Sequence, residues 1–457
     1  MTGWEPDRNK SLSGTDGKAG GDMNRMRNNI GKKIILYSMI FVVTVLCLTG
    51  ILAASARIPT EKLQENMKKS AGFLCEREVF FKLSENLECS NIDRYADSIL
   101  LSIAYHFEPE HPLTSVMNAS YYFTEYQNEN QNFYESVTKR LPANQQYLRY
   151  WHGSAAVVRF LHLFFSLRQI YQLHAVLLAV LALSLIFVLL WHRFFGAATG
   201  IVCALTAVSI WYVPFSLEYT WMFLWALIAA LAAVVLALKG EEQLFFPFFL
   251  IVGIVANWLD FLTTETVTLL IPLLLVLAIK QKKEKENSPF GFVAGCCGLW
   301  GIGYACMWIT KWVLASIVLS ENAMPYVKEH IGERIGIGEE HKALREMAGA
   351  IKNNIRCLFP ANLGPIGVAV VCAVGIVLLY LCWVYPKKEW DRRLLFCCIF
   401  LGVIPYIRYL VLHDHSYLHF FFTYRAQAAG ILALGLIVTE IVDWRCIGNG
   451  VRRKKKS

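Results

Sequence analysis

Long apolar runs separated by short polar segments make up most of this chain. They lie near residues 34–54, 174–191, 196–213, 219–238, 244–257, 262–279, 289–310, 365–384, 393–412 and 426–443. Each is close to the roughly 20 residues that a helix needs to cross a bilayer. Barrel strands would alternate apolar and polar positions, and these runs do not. The pattern predicts an all-α polytopic membrane protein with about ten transmembrane helices and a large, mainly helical first extracytoplasmic loop.

Basic residues cluster in segments that alternating helices would place on one side of the membrane. These segments contain Lys239, Lys280 to Lys285, Lys387 to Arg393 and Arg452 to Lys456. The positive-inside rule makes that side cytoplasmic, so we expect a multi-pass protein of the cell membrane with both termini cytoplasmic. The formal net charge of +9 is explained in the same way, and we expect no nucleic-acid partner.

Polar composition divides the chain into five regions. We predict a disordered cytoplasmic tail at 1–33, a first transmembrane helix at 34–54 and an extracytoplasmic loop with interfacial helices at 55–173. A transmembrane bundle follows at 174–443, and a basic cytoplasmic tail at 444–457. The small residues at 53–56 also fit a signal-peptide cleavage site, but the long polar tail favours an uncleaved anchor.

The bundle contains an outer loop at about 320–362 that is basic, against the positive-inside rule. A helix over 339–358 would carry its apolar residues on one face; these are Leu344, Met347, Ile351, Ile355 and Leu358. An interfacial helix that meets anionic lipid would explain both features. Two misplaced transmembrane helices would explain them as well.

The thirteen cysteines lie mostly in apolar runs, where a thiol behaves as a small hydrophobe. None shows zinc-ligand spacing. Cys75 and Cys89 fall in the long loop, where either a disulfide or two free thiols is possible. The histidines at 413, 415 and 419 lack a defined ligand spacing, so we predict no metal centre there.

Asp93 and Asp97 are the first candidates for chemistry. Their spacing of four places both carboxylates on one helix face. Such a pair could deprotonate an acceptor hydroxyl or hold a divalent cation, the one cofactor that we consider. Alternatively, Ser90 and Asp93 simply cap the start of a helix.

Cationic and aromatic residues follow where the chain re-enters the membrane. Arg149, Trp151 and His152 are adjacent, and Arg159 and Arg168 flank an otherwise apolar helix. Guanidinium groups match phosphate oxygens, so a lipid phosphate is a natural ligand; snorkelling to headgroups is the alternative.

Two further candidates lie at the outer ends of later helices. Asp260 follows the run at 244–257, and Arg425 precedes the last run. An acid or arginine near the membrane often marks a site, although Asp260 could also cap a helix. We count both among the substrate-binding candidates.

The whole arrangement resembles integral-membrane glycosyltransferases of the C superfamily (GT-C). The shared features are a cytoplasmic N-terminus, a first span before a long acidic outer loop, about ten spans and arginines at the outer interface. The runs Tyr150–Gly153 and Trp258–Phe261 are similar to uncharacterised bacterial membrane proteins of surface-polysaccharide synthesis.

This resemblance implies transfer of a sugar from a polyprenyl-phosphate donor to a cell-surface glycan or lipid acceptor. Asp97 or Asp93 would be the catalytic base. Arg149, Arg159, Arg168 or Arg425 would neutralise the leaving phosphate, with Trp151, His152 and Asp260 also contacting substrate. A surface-polysaccharide polymerase or ligase, a lipid-linked-sugar transporter or flippase, and a non-enzymatic assembly partner are the alternatives.

Overall fold

The computed structural model describes residues 16–283, 289–322, 325 and 340–447. The predicted tails before residue 16 and after residue 447 lie outside the described residues, as does most of 323–339 in the predicted outer loop. What is described is almost entirely helical, which confirms the all-α fold class.

The elements follow one another with short connections. In chain order the helices are α1 Asp16–Ala56, α2 Gln64–Cys75, α3 Arg94–Tyr105, α4 Pro112–Asn118, α5 Glu129–Lys139, α6 Ser154–Leu161, α7 Leu167–Trp191, α8 Phe195–Ala207, α9 Leu217–Lys239, α10 Phe245–Leu259, α11 Val267–Lys283, α12 Pro289–Leu319, α13 Glu340–Arg356, α14 Pro365–Val384, α15 Arg392–Val411, α16 His413–Leu418, α17 Phe420–Thr423 and α18 Ala428–Ile441. One antiparallel hairpin joins β1 Phe80–Lys82 to β2 Asn91–Asp93.

Within the described residues, eight helical segments are long and apolar enough to cross a membrane. The other two predicted spans contain α8 and α11, which have 13 and 17 residues. α8 is short because the chain tightens into a 3-10 turn at Ile210–Phe215, which contains Pro214. α11 is short because residues 260–266 do not form a helix.

The first helix is longer than expected. We predicted a disordered tail as far as residue 33, but α1 begins at Asp16. Adding residues to an established helix is far easier than starting one, so the apolar span can extend the helix into polar sequence.

Residues 57–166, which we call the loop domain, contain α2 to α6 and the hairpin. Apolar side chains from several of these helices form its core; among them are Met67, Leu74, Leu101, Phe133 and Val137. The domain is mainly helical, as predicted, and it ends earlier than residue 173 because α7 begins at Leu167.

Buried cations attach the loop domain to the membrane helices. Arg159 donates to carbonyls at the ends of α1 and α3, including Ser55 O at 3.0 Å and Phe107 O at 3.2 Å. Lys311 of α12 donates to Met117 O, at the end of α4, at 2.8 Å. Helix C-termini expose carbonyls without intrahelical partners, and a cation there is favoured by the helix dipole.

The helix ends alternate between two sides of the bundle, as the sequence predicted. On the loop-domain side, Gly153 N donates to Trp258 O at the end of α10, at 2.9 Å. On the other side Lys280 pairs with Glu242, and Lys387 with Glu440 at 3.4 Å. That the lysine-rich side is cytoplasmic stays a prediction.

The predicted amphipathic helix is α13. Glu346, Ala350 and Asn354 form its buried stripe. On the predicted apolar face, Leu344 and Ile355 are exposed, whereas Met347 and Ile351 are half-buried. Leu358 lies beyond the end of the helix and packs against the core, so only part of the predicted apolar face is exposed. All thirteen cysteines are free, so the disulfide between Cys75 and Cys89 does not form.

Candidate active site at the loop-domain side of the bundle

Three buried carboxyl groups meet where the loop domain contacts the membrane helices. Asp93 precedes α3, Glu218 lies in the first turn of α9, and Asp260 follows α10. Each is less than a tenth exposed. Glu218 lies within electrostatic range of both Asp93 and Asp260. We call these three residues the acid cluster.

Burial raises the pKa of the Asp93 carboxyl. Desolvation is the largest cause, and the hydrogen bond that Asp93 accepts from Ala96 N, at 2.8 Å, lowers the pKa in part. The nearby charge of Asp97 raises it further. Asp93 is therefore a carboxylate whose basicity burial has increased, and it lies beside a second buried acid, Glu218.

Glu218 keeps capacity for a further partner. Its buried Oε2 has no hydrogen-bond partner among the described residues. Trp221, one turn later on α9, and Trp258, at the end of α10, carry buried indole N–H groups without an acceptor in the described part of the chain. Buried polar groups are almost always satisfied in folded proteins, so this region fits a polar ligand or ordered water.

Asp260 is held on a rigid loop. Its Oδ2 accepts from Tyr304 OH at 2.7 Å and its Oδ1 from Thr263 N at 3.0 Å. Burial, and then the neighbouring Glu265, raise the pKa of Asp260. Arg408 of α15 bonds to Glu265 at 3.0 Å and fixes the same loop.

Asp97, the predicted base, is fully buried and already occupied. It accepts from Tyr171 OH, from Ser216 OH at 3.2 Å and from Leu217 N at 2.9 Å. It thus caps the start of α9, where a negative charge is favoured. Burial raises its pKa to about 6 against these hydrogen bonds. The geometry favours an anchoring role that places Glu218 beside Asp93.

Arg425 lies next to the acid cluster. Its guanidinium stacks 4.6 Å from the ring centre of Tyr219, the residue after Glu218, and donates to Cys89 O at 3.1 Å. Its Nε has no hydrogen-bond acceptor among the described residues. Among the predicted phosphate-binding arginines, Arg425 is the one that lies beside the acid cluster.

Trp151, His152 and Arg149 form an aromatic wall beside Asp260. The His152 ring lies 5.2 Å from that of Phe261, the residue after Asp260. Burial, and then Lys311, lower the pKa of His152 well below its ordinary value, so the imidazole is neutral. Trp151 Nε1 donates to Met307 O at 2.8 Å, and the Arg149 guanidinium faces the Tyr150 ring at 5.7 Å.

Backbone strain marks the same wall. His152 has φ 53° and Leu262 has φ 64°, a left-handed conformation that residues other than glycine seldom adopt. Such positions persist only where the surroundings enforce them, and they concentrate at functional sites.

Arg159 and Arg168 lie apart from this site. All three nitrogens of the Arg159 guanidinium donate to the loop domain or to the end of α1. Arg168 is exposed and pairs with Glu76 at 3.1 Å. Neither guanidinium is therefore placed to bind a phosphate group at the acid cluster.

The described residues contain no group of three or more His, Cys, Asp or Glu side chains placed to hold a metal ion. In the histidine cluster, His413 Nδ1 pairs with Glu346 at 3.1 Å instead.

Sequence reasoning gave no role to Glu218, Tyr304, Arg408 or Lys311. Glu218 was expected on the outer face, but an acid in a first helical turn resembles an ordinary capping residue. Arg408 and Lys311 are single charged residues in or beside apolar runs, and this is the sequence signal that could have identified them. Their partners lie 143 and 194 positions away along the chain and could not be read locally.

No protein-family model, curated protein or solved structure matches this chain. The function must therefore be argued from the geometry of the acid cluster.

Proposed function

We propose that this protein is a membrane glycosyltransferase that moves a sugar from a polyprenyl-phosphate donor to a glycan or lipid hydroxyl. The observation that carries the proposal is the pair of buried, electrostatically coupled carboxyl groups of Asp93 and Glu218 at the end of a membrane helix. Paired carboxyls with raised basicity in a water-poor site are suited to general base catalysis.

In the proposed reaction, the acceptor oxygen attacks the anomeric carbon of the donor and forms the new glycosidic bond. The acceptor proton passes to the carboxyl pair of Asp93 and Glu218. The bond from the anomeric carbon to the phosphate oxygen breaks, and the phosphate leaves with the electron pair. Attack opposite the leaving group inverts the anomeric configuration.

Cations near the pair can stabilise the departing phosphate. Arg425 has an unpaired Nε, and Arg149 lies on the wall beside Asp260. Preorganised donors at a developing negative charge are usually the largest contribution to catalysis. The indole N–H groups of Trp221 and Trp258 would serve as further hydrogen-bond donors to sugar or phosphate oxygens.

The test is transfer of radiolabelled sugar from a panel of polyprenyl-phosphate donors by protein reconstituted in liposomes. Losing a general base typically costs about 10²-fold to 10⁴-fold in rate, so Asp93→Asn and Glu218→Gln should fall in that range. Glu76→Gln, an exposed acid of the loop domain, is the matched control. Undiminished transfer by both variants would remove the pair from the mechanism.

A proton-coupled transporter or flippase of lipid-linked sugar is the second candidate. It is favoured by the irregular backbone at Ile210–Phe215, 260–266 and Tyr424–Gln427, near buried acids and Arg408. Broken helices and buried charges are typical of transport sites. Proton uptake into liposomes that depends on lipid-linked sugar, without sugar transfer, would favour it.

A surface-polysaccharide polymerase or ligase would use the same acids on a larger donor. Product length distinguishes the two enzymes. Single-sugar addition supports the transferase, whereas transfer of whole repeat units supports the polymerase or ligase.

A further inference from the structure

A polar cavity lies within the loop domain, away from the acid cluster. It has a volume of about 410 Å³ and opens between α2, the end of α3, α4 and residues 140–143. Its lining includes Glu61, Gln64, Tyr105, Thr114, Asn118 and Arg140. None of the three acids of the acid cluster lines it, so it is a separate site.

Hydrogen bonds hold the cavity walls in place. Tyr105 OH donates to Gln64 Oε1 at 2.7 Å, and Gln64 Nε2 donates to Val137 O at 2.7 Å. His106 bridges α3 to the neighbouring loop, with its ring nitrogens 2.7 Å from Ser102 O and 3.0 Å from Leu141 O. A preformed site loses little conformational freedom when a ligand binds.

Charges around the cavity are balanced. Glu61 and Glu108 line it together with Arg140. The buried Arg159 lies within electrostatic range of Glu61 and of His106. Burial lowers the pKa of His106 and favours its neutral form. Tyr105 lies within electrostatic range of both Arg140 and Glu61, so opposite charges flank the same wall. With two acids matched by two arginines, the cavity favours a neutral ligand over a charged one.

The polar atoms call for a ligand that donates hydrogen bonds. Asn118 Oδ1 is buried and has no donor among the described residues. Hydroxyl and amide side chains surround it, and the phenol of Tyr105 adds an aromatic edge. Sugars present many hydroxyl donors together with apolar ring faces, which matches this lining.

We infer that this cavity binds a neutral oligosaccharide, as a holding site for the acceptor glycan. The carbohydrate binding stands on the cavity alone, whereas the acceptor role rests on the proposed transferase. α3 links the two sites, with Asp93 at its start and Tyr105 at its end. Its 12 residues span about 18 Å at 1.5 Å per residue. An acceptor chain of several sugars would bridge that distance.

The experiment is isothermal titration of the full-length protein in nanodiscs, without donor, with maltotetraose, cellotetraose and chitotetraose. At least one should bind, and the corresponding 6-phosphorylated sugar should bind more weakly. Thr114→Trp fills the cavity from an exposed position of α4. Leu113→Trp, the adjacent exposed residue outside the lining, is the matched control.

A steric clash built into a site selectively weakens its ligand, so Thr114→Trp should raise Kd by about tenfold or more. Leu113→Trp should leave Kd within about twofold, because it adds no atoms to the lining. No binding by any of the three tetrasaccharides, or equal effects of the two tryptophans, would overturn the proposal.

Binding and transfer can fail separately. Asp93→Asn should retain full oligosaccharide affinity while transfer is lost, because the base and the cavity lie at opposite ends of α3. If tetrasaccharides bind but no donor is used, the carbohydrate site stands and the transferase falls. If transfer occurs without binding at the cavity, the transferase stands and the holding site falls.

Discussion

Arg159 and Glu218 are both buried ionisable side chains at the edge of the membrane helices, yet their surroundings differ. Arg159 has each of its three nitrogens hydrogen bonded, most of them to backbone carbonyls. Glu218 has a buried Oε2 without a hydrogen-bond partner among the described residues, and its neighbour Asp93 is itself an acid. The protein itself satisfies every hydrogen-bonding nitrogen of Arg159, whereas Glu218 can still hydrogen bond to a substrate.

This difference separates structural from chemical roles more clearly than burial does. A buried charge that is fully hydrogen bonded holds elements together, and removing it leaves several carbonyls unsatisfied. A buried carboxyl oxygen that lacks a hydrogen-bond donor contributes little to the fold. We expect substitutions at saturated groups to change stability, and substitutions in the acid cluster to change activity.

The largest effect is expected for Arg159→Met. It leaves the carbonyls at the ends of α1 and α3 without donors, at a cost of about 3–5 kcal/mol, as for other broken buried charge networks. Thermal unfolding in detergent would measure it. A variant as stable as wild type would show that saturation does not identify structural charges.

The second-largest effect on stability is expected at low pH, where His162 becomes protonated. Its ring bonds to Val158 O at 2.8 Å and to Ser70 Oγ at 3.0 Å, and burial lowers its pKa to about 4. Between pH 6.5 and 4 the unfolded chain binds the proton first, so stability falls as pH falls, by about 3 kcal/mol in total.

His162→Gln should flatten that part of the stability profile, measured as Tm against pH. Asp97 has the opposite sign: its raised pKa makes the folded state bind protons first, so its contribution rises as pH falls through about 6. His111→Gln, an exposed histidine, is the control and should leave the profile unchanged. An unaltered slope in His162→Gln would contradict the assignment.

Asp97→Asn should have an intermediate effect. The amide still accepts one hydrogen bond, but it no longer matches Tyr171 OH and Leu217 N with a charge, so we expect a loss of about 1–3 kcal/mol. Chemical denaturation of the purified protein would measure it. Transfer per folded molecule should remain within about tenfold of wild type if Asp97 only positions Glu218.

Asp93→Asn should affect stability least. Asparagine caps helices about as well as aspartate, so we expect a change of less than about 0.5 kcal/mol in unfolding free energy. Transfer activity should nevertheless disappear. Loss of stability comparable to that of Asp97→Asn would erase the distinction between the two acids.

The sequence indicated the membrane helices well, since hydrophobic length is a local property. It also indicated the cap at Asp93, because Ala96 N donates to it within the same turn. It did not indicate which acids meet. Asp93 and Glu218 come together only when α9 packs against the loop domain, more than a hundred residues later in the chain.

The predicted phosphate-binding arginines show the same limit of local sequence analysis. Arg159 was expected to bind phosphate, but carbonyls at the ends of α1 and α3 present equally good acceptors. Local sequence cannot distinguish a lipid phosphate from the protein's own helix ends, because both offer oxygen to the same donors.

The left-handed backbone at His152 and Leu262 affects how the results of substitutions at these positions should be interpreted. Glycine adopts this conformation without strain, whereas alanine keeps the steric conflict at φ 53° and φ 64°. An alanine scan would therefore confound loss of the imidazole with a strained backbone. Glycine substitutions at these two positions remove the side chain without adding backbone strain. Alanine substitutions alone would underestimate how well these positions tolerate loss of the side chain.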